Sequence, residues 1–356
     1  MFGNRAYELP ITKEYIRHWG LLDGIRELIQ NALDSDSPFE WNIEEDTLYI
    51  HSRYSKLEPK TLLLGCTSKA EDTTKIGSFG EGYKLAMLCL HRAGYKVRLR
   101  NNHVIWTPEF RFNTTYQSDI LYVIETVCQF KQEGLTFEVS GLSETNIAEI
   151  RMSCLQMQSH IGQVKQTSKG LILLEQQGRL YVGGLYICDT DLKYGYDIKP
   201  EFVRLERDRR TVDSWNLKTI TRDMWFETQD YESICNEIEK ETPDLEYARY
   251  SSPEVVKEAV YKHFRSRHPN EVIAKTQEEL EGLVEQGLTV YVGGYTYHSV
   301  VSNSRSYLAE VRANVQLQTP AEYLCTWFKE NRKHMRRQAI VNMKQLIDQS
   351  SNWKLK

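Results

Sequence analysis

From Leu21 to Asp34 the apolar positions recur at three- and four-residue spacing. Leu21, Ile25, Leu28, Ile29 and Ala32 cover one face of a helix, while Glu27, Asn31 and Asp34, at i, i+4 and i+7, share the other. A second apolar helical run, Leu85, Ala86, Met87, Leu88 and Leu90, follows three glycines in six residues, Gly77, Gly80 and Gly82. Between them the period changes to two: Thr47, Tyr49 and His51 alternate with Leu48 and Ile50, so residues 41–50 read as strands. Residues 95–100 and 104–112 form a predicted hairpin turned by Asn101-Asn102; 120–127 and 136–139 add two strands, and Ser143 caps a helix running towards His160. Ahead of all these, Leu9-Pro10-Ile11 leads to Thr12, an N-cap for a short helix ending near Gly20.

The polar bridge at residues 166–170 marks a boundary. Beyond it, residues 171–174 and 179–186 alternate around Gln176-Gln177-Gly178 as hairpins, and Tyr181-Val-Gly-Gly184 recurs as Tyr291-Val-Gly-Gly294, which reads as two glycine-bent hairpins. A charged stretch, 203–211, precedes an apolar-periodic helix through Leu217, Ile220 and Trp225. Ser252-Pro253 is a helix start, and Thr319-Pro320-Ala321-Glu322 is a capping box for a C-terminal helix with Leu324, Phe328, Ile340, Leu346 and Ile347 on one side. Lys329, Arg332, Lys333, His334, Arg336 and Arg337 cluster within that helix, where a nucleic-acid or acidic partner competes with plain solvation.

The chain has 356 residues, enough for two self-sufficient cores. Apolar residues make up 40% and the net charge is −4, so no global field recruits nucleic acid or an acidic membrane. The seven cysteines are scattered without a C-x-x-C pair, which points to free thiols in a reducing cytoplasm and not to disulfides or a zinc site. Residues 1–5 lack the apolar core of a signal peptide and no apolar run approaches ~18 residues, so neither export nor a membrane span is expected.

The polar face of the first helix and the glycines before the second suit acid, metal and phosphate chemistry. Bare backbone N–H groups at a helix start favour an anion. Glu27-xxx-Asn31-Ala32-x-Asp34 followed by Gly77-xx-Gly80-x-Gly82 resembles the N-box and second glycine box of the GHKL ATPases, the superfamily of gyrase B subunits, ninety-kilodalton heat-shock chaperones, sensor kinases and MutL-type proteins. The layout is closest to the chaperone-like members. The resemblance implies an α+β chain: a GHKL (Bergerat) α/β sandwich at residues 1–167, a transducer-like α+β domain at 168–318 and a C-terminal helical segment at 319–356.

It also implies a cycle of Mg2+-ATP binding, lid closure and slow hydrolysis that drives a clamp or chaperone-like change. Glu27 is then the general base, Asn31 the Mg2+ ligand, and Asp34 part of the same box; Gly77, Gly80 and Gly82 line the phosphates. Arg26 resembles a chaperone arginine that pairs with the acid, and reads equally well as a surface residue. Ser68-Lys69 resembles the start of the ATP lid, with Lys69 towards the phosphates, and Lys84 either contacts a phosphate or is simply exposed. Thr136 resembles the late threonine near the base, one residue out of spacing, and is matched by an ordinary strand threonine. Arg207 aligns with the middle-domain arginine that reaches the γ-phosphate, with Arg209 its neighbour; a solvated or nucleic-acid-facing charge run is the competing reading. In several of these families the N-terminal arm crosses to a second subunit, which implies a homodimer; an arm packed on its own domain is the alternative.

One motif departs from the pattern. Where the superfamily has D-x-G-x-G, with the aspartate accepting from the adenine amino group, this chain has Ser52-Arg53-Tyr54-Ser55-Lys56. A neutral hydroxyl there replaces a charge-assisted contact, a loss on the order of 1 kcal/mol. Adenine is then held differently, or the purine is not adenine, or affinity is low. The other class of function consistent with the sequence is a non-catalytic nucleotide- or partner-binding module on the GHKL fold, acting on a protein client or nucleic acid or in a defence system.

Overall fold

The computed structural model describes residues 5–35, 37–63, 82–128, 133–203, 214–285, 287–314 and 320–350. The chain divides into two compact units, Met1–Tyr250 and Ser251–Lys356. It is a mixed α+β protein with a large antiparallel sheet and a helical C-terminal part.

The first unit begins β1 (Arg5–Thr12), α1 (Leu21–Leu33), β2 (Glu40–Glu44), β3 (Thr47–Ser52), α2 (Gly82–Arg92), β4 (Lys96–Asn101), β5 (Val104–Asn113), β6 (Ser118–Val127), β7 (Leu135–Ser140) and α3 (Glu144–Met152). Its strands make one sheet in the order β1-β6-β5-β4-β7-β3-β2, every neighbour antiparallel. Strand alternation sends Leu48, Ile50, Leu99, Phe137 and Val139 to one face, where they share a core with Ile25, Leu28 and Ile29 of α1 and with α2. At 20–33 cal/mol per Å2, burying side chains of this size is worth about 1.5–3 kcal/mol each before entropy, so this layer fixes α1 against β3.

The expected hairpin at Asn101-Asn102 forms, with Asn102 at φ +54° in the left-handed region that asparagine tolerates. The expected helix after Thr12 does not. Thr12 ends β1, and residues 13–18 are turns. The reason lies far along the chain: the Arg92 guanidinium donates to the carbonyls of Lys13, Tyr15, Ile16 and Trp19 at 2.8–3.1 Å, taking acceptors a helix would use. From Arg5 onward the arm therefore lies on its own unit, with β1 paired to β6. Helix α3 also stops earlier than expected, at Met152, where the Ser153 hydroxyl turns back to the Ile150 carbonyl.

The unit continues with β8 (Val164–Thr167), β9 (Gly170–Leu173), β10 (Arg179–Val182), β11 (Leu185–Asp189), β12 (Gly195–Ile198), α4 (Ser214–Glu227) and α5 (Tyr231–Glu239). The sheet order is β11-β10-β12-β9-β8, with β10 and β12 parallel. Position 167, where the sequence suggested a domain boundary, lies at the turn of the β8–β9 hairpin. That hairpin is bonded to the helices that follow: Lys165 pairs with Asp230 at 2.6 Å, Lys169 with Asp223 at 2.8 Å, and the Ser168 hydroxyl donates to Glu227 at 2.8 Å. The division between compact units falls after Tyr250 instead.

The second unit contains α6 (Glu254–Arg267), β13 (Val272–Ala274), α7 (Gln277–Glu285), β14 (Val290–Val292), α8 (Tyr295–Ser302), α9 (Arg305–Asn314), α10 (Pro320–Asn331) and α11 (Arg337–Ser350). β13 and β14 are parallel, joined through α7. The two Tyr-Val-Gly-Gly segments part company here. Gly183-Gly184 turns the β10–β11 hairpin at φ +58° and +84°, whereas Gly294 is the N-cap of α8, so the second copy leads from strand to helix. The single C-terminal helix is two, α10 and α11, and the basic cluster from Lys329 to Arg337 straddles the break between them instead of lining one face.

Candidate functional site

Helix α1 starts where the Asp23 carboxylate takes the Gly20 N–H at 2.9 Å, and Asp34 is its C-cap. Its polar face is not solvated. Glu27 is 1% exposed, Gln30 3%, Asp34 5% and Arg26 7%, nearly as buried as Ile25 and Leu28 of the same helix. Arg26 lies 3.6 Å from Asp23, so the surface reading of Arg26 is excluded. A carboxyl held out of water in this way needs compensating polar surroundings, which makes the position of Glu27 a constraint on the fold.

Helix α2 runs antiparallel to α1, and a glycine on each helix permits the approach. At Gly24 a Cβ would fall 2.7 Å from Cys89 Sγ and 2.7 Å from Leu90 Cγ; at Gly82 it would fall 2.5 Å from Glu27 Oε2 and 3.0 Å from Asn31 Nδ2. The first residue of α2 therefore sits directly against the acid and the amide of α1, and the N-terminal dipole of α2 faces the same corner. Asn31 commits its amide nitrogen to the Glu27 carbonyl at 2.7 Å, which leaves its side-chain oxygen as the ligand-capable atom. Gly24 had no part in the sequence argument, although a glycine inside a helical pattern was the available signal. Beside it, burial pushes the Cys89 thiol up to about 12, so this sulfur stays protonated.

A strap, residues 52–63, borders the corner and is pinned along its length. The Tyr54 N–H donates to the Ser37 hydroxyl at 3.0 Å, just past the end of α1. Asn101 clamps Leu57 through both of its amide atoms, at 3.2 and 2.6 Å. Lys84 is fully buried, and its Nζ donates to the carbonyls of Thr61 and Leu63 at 2.8 and 2.6 Å. It is neither exposed nor directed outward; its ammonium ties the first turn of α2 to the strap. The Tyr83 and Thr61 hydroxyls, 2.9 Å apart, join the same elements.

Ser52 ends β3 on the face turned to the helices, at 3% exposure, alternating with Leu48 and Ile50. The strap beyond it does without the glycines of D-x-G-x-G because neither Tyr54 nor Lys56 has a positive φ. The close approach is supplied by Gly134, the residue just before β7, at φ +86°, where a Cβ would lie 2.7 Å from the Ser52 carbonyl and 2.6 Å from that of Arg53.

Thr136 does not join this group. In the β3–β7 register Ser52 faces Leu135 and His51 faces Thr136, and the Thr136 hydroxyl meets His51 Nδ1 at 2.7 Å. Thr136 thus points from the other side of the sheet, because a shift of one residue along a strand exchanges its faces. Glu27, Asn31, Asp34 and Gly82 are brought together on α1 and α2, and Ser52 lies on the same side of the sheet as those helices. Lys69, Gly77, Gly80, Arg207 and Arg209 lie outside the described residues.

No family model matches the chain. It is similar to an uncharacterized protein of Mycoplasma pneumoniae, 24% identical over 227 residues, which cover 60% of this chain and 90% of that protein. That likeness names no activity, so the chemistry rests on the corner itself. Among the described residues no group of three or more His, Cys, Asp or Glu side chains is placed to hold a metal. No described helix is long and apolar enough to cross a membrane.

Proposed function

We propose that the first unit binds Mg2+-ATP and hydrolyses it slowly to drive a conformational change, as the GHKL resemblance implies. The observation that supports this reading best is the meeting of Gly82 with the Glu27 carboxylate and the Asn31 amide, with which any side chain at position 82 would collide. Phosphate oxygens suit backbone N–H groups at the start of α2, and water between them and Glu27 is activated by proton transfer to the carboxylate. Water oxygen forms the new bond to the γ-phosphorus, the bond to the ADP oxygen breaks, and Glu27 carries the released proton. Asn31 fits Mg2+ as a hard oxygen ligand, and a cation held mainly by phosphates and water needs no carboxylate cage; when bound it would neutralise charge on the phosphate oxygens.

In this reading Asp34 supports the C-terminal end of α1, and Lys84 holds the strap instead of a phosphate. Lys69 from the lid and Arg207 as the arginine of the γ-phosphate enter on the sequence resemblance alone, as do a homodimer and a client. Titration calorimetry of Mg2+-ATP on the wild type and on Glu27→Gln, with phosphate release followed on the same samples, tests the proposal. Both proteins are expected to bind and only the wild type to release phosphate. No binding at millimolar ATP would overturn the reading in favour of a partner-binding module.

A further inference from the structure

Charge is divided unevenly along the chain. Residues 320–356 hold eight Lys and Arg against three Asp and Glu, a net +5, which leaves −9 on the preceding 319 residues. Most of the excess lies between Lys329 and Arg337, where α10 ends, a single 3-10 turn spans Arg332–His334 and α11 begins. Lys329, Arg332, Lys333, Arg336 and Arg337 are all exposed, and among the described residues none of the five has a carboxylate partner. Elsewhere the fold pairs its cations: Lys165, Lys169, Lys193, Lys218 and Arg265 each lie 2.6–2.8 Å from a carboxylate. The helix gains nothing from Arg336 and Arg337 at its start, because cations there oppose its dipole. Surfaces that only need solubility intersperse the two signs, so a run of unpaired cations calls for a partner of opposite charge.

We infer that the break between α10 and α11 is a binding surface for single-stranded nucleic acid, held through its phosphates. The phosphates of a strand follow one another closely, so cations gathered at one turn meet several of them, and each arginine presents parallel N–H donors that fit a phosphate. Trp327, two residues before Lys329, is 40% exposed although its neighbour Phe328 is buried. An exposed aromatic ring beside phosphate-binding cations is the combination on which unpaired bases stack; duplex bases, already stacked, offer it no face. A bilayer is the poorer match. A helix lying on anionic lipid carries its cations along its length and turns an apolar face outward. Past Arg337, α11 has Lys344 alone, and of its large apolar side chains Val341 is exposed while Ile340, Met343, Leu346 and Ile347 are half-buried, with α10 packed against α11.

The test is fluorescence anisotropy of labelled single-stranded RNA, single-stranded DNA and duplex DNA, each of about 20 nucleotides, with the full chain between about 50 and 200 mM salt. The wild type is expected to bind the single strands with a Kd of about 1–100 μM, and log K should fall against log salt with a slope of about −3, as four or five phosphate contacts require. Combining Arg332→Gln, Lys333→Gln, Arg336→Gln and Arg337→Gln is expected to weaken binding by about tenfold or more and to flatten the slope to about −1. All four side chains are exposed, so the urea midpoint of this variant should match the wild type, which separates lost contacts from a lost fold. Trp327→Ala is expected to weaken the single strands by about fivefold and to leave the duplex unchanged. A slope that stays at its wild-type value in the fourfold variant would place binding elsewhere on the chain and overturn the inference. An equal effect of Trp327→Ala on single strands and duplex would overturn the choice of single strands. Retention of phosphatidylserine vesicles or of polyglutamate without any of the oligonucleotides would reassign the surface to lipid or to an acidic protein, and no binding of any probe at about 100 μM protein in the lowest salt would leave the break merely solvated.

Discussion

Two buried acids in the first unit show opposite surroundings. Asp244 is fully buried behind the five-stranded sheet, and the fold supplies it with donors: the Tyr196 hydroxyl at 2.5 Å and the backbone N–H groups of Lys193 and Tyr194 at 2.7 and 3.2 Å. Trp225 donates in turn to the Tyr196 oxygen at 2.9 Å, and the Thr221 hydroxyl bonds the Asp244 carbonyl. Desolvation still pushes its carboxyl above the usual aspartate range, yet every neighbour named here belongs to the architecture. Glu27 is equally inaccessible, but its carboxylate abuts a glycine at the start of a helix. Burial alone therefore does not separate a structural acid from a chemical one. Beside Asp244 stand a tyrosine hydroxyl and two backbone N–H groups, whereas beside Glu27 lies a position that admits no side chain.

The largest effects should break along that line. Glu27→Gln keeps shape and is expected to cut phosphate release by about 100-fold or more, the usual worth of a general base, with the urea midpoint nearly unchanged. Asp244→Ala should leave nucleotide binding within a few-fold and lower stability by about 3 kcal/mol, since several buried donors lose their acceptor at about 1–3 kcal/mol each. Urea unfolding and phosphate release on both variants check this. If Asp244→Ala abolished release at full stability, the contrast between the two acids would be wrong.

Gly82→Ala comes next. Its methyl would sit 2.5 Å from Glu27 Oε2, so the carboxylate or the helix start must shift. Affinity for Mg2+-ATP is expected to drop by about tenfold, with a stability loss of about 1–2 kcal/mol of the kind overpacking causes. The same substitution at Gly94, where a Cβ meets nothing within 4 Å, carries backbone strain from its φ of +93° but should leave binding unchanged. Lys84→Met would strip the Thr61 and Leu63 carbonyls of their donor, and about 2 kcal/mol of stability should go with it. Hydrogen exchange should report that loss first at residues 59–63.

The parts of this site that were readable in the sequence are those fixed by local spacing. Glu27, Asn31 and Asp34 lie within one helix, and 3.6-residue periodicity sets their common side whatever the rest of the chain does. The turn at Asn102 is likewise local. Three features were set at long range and escaped. Residues 13–18 lost their helix to Arg92, and Lys84 found its acceptors on a strap some twenty residues earlier. Thr136 depended on the β3–β7 register, where a single-residue offset reverses the side of the sheet. The repeated Tyr-Val-Gly-Gly shows the same limit, since one copy turns a hairpin and the other opens α8.

The smallest expected effect sharpens the comparison from the structural side, and it is a pH dependence. Asp197 on β12 accepts from the Gly184 N–H at 2.7 Å, but desolvation outweighs that bond and pushes its carboxyl up to about 6. In the unfolded chain the same group titrates near 3.8, so between about 4 and 6 the native state binds more protons. Stability must then fall as pH rises through this window. Asp230 works in the opposite sense: its bond to Lys165 holds its carboxyl down to about 2, giving stability that is present above 3.8 and lost as pH falls towards 2. The two windows adjoin without overlapping, but Asp244, also raised, and His91 and His298, both lowered by burial, act in the upper window too, so the share of Asp197 is the difference between wild-type and Asp197→Asn urea midpoints from about pH 4 to 6. Asp197→Asn is expected to flatten the decline there and to leave the loss below pH 4 in place. Because Asp197 belongs with Asp244 among acids enclosed by the fold, the pH profile of phosphate release should not move in this variant; a shift in that profile would place Asp197 on the chemical side of the comparison.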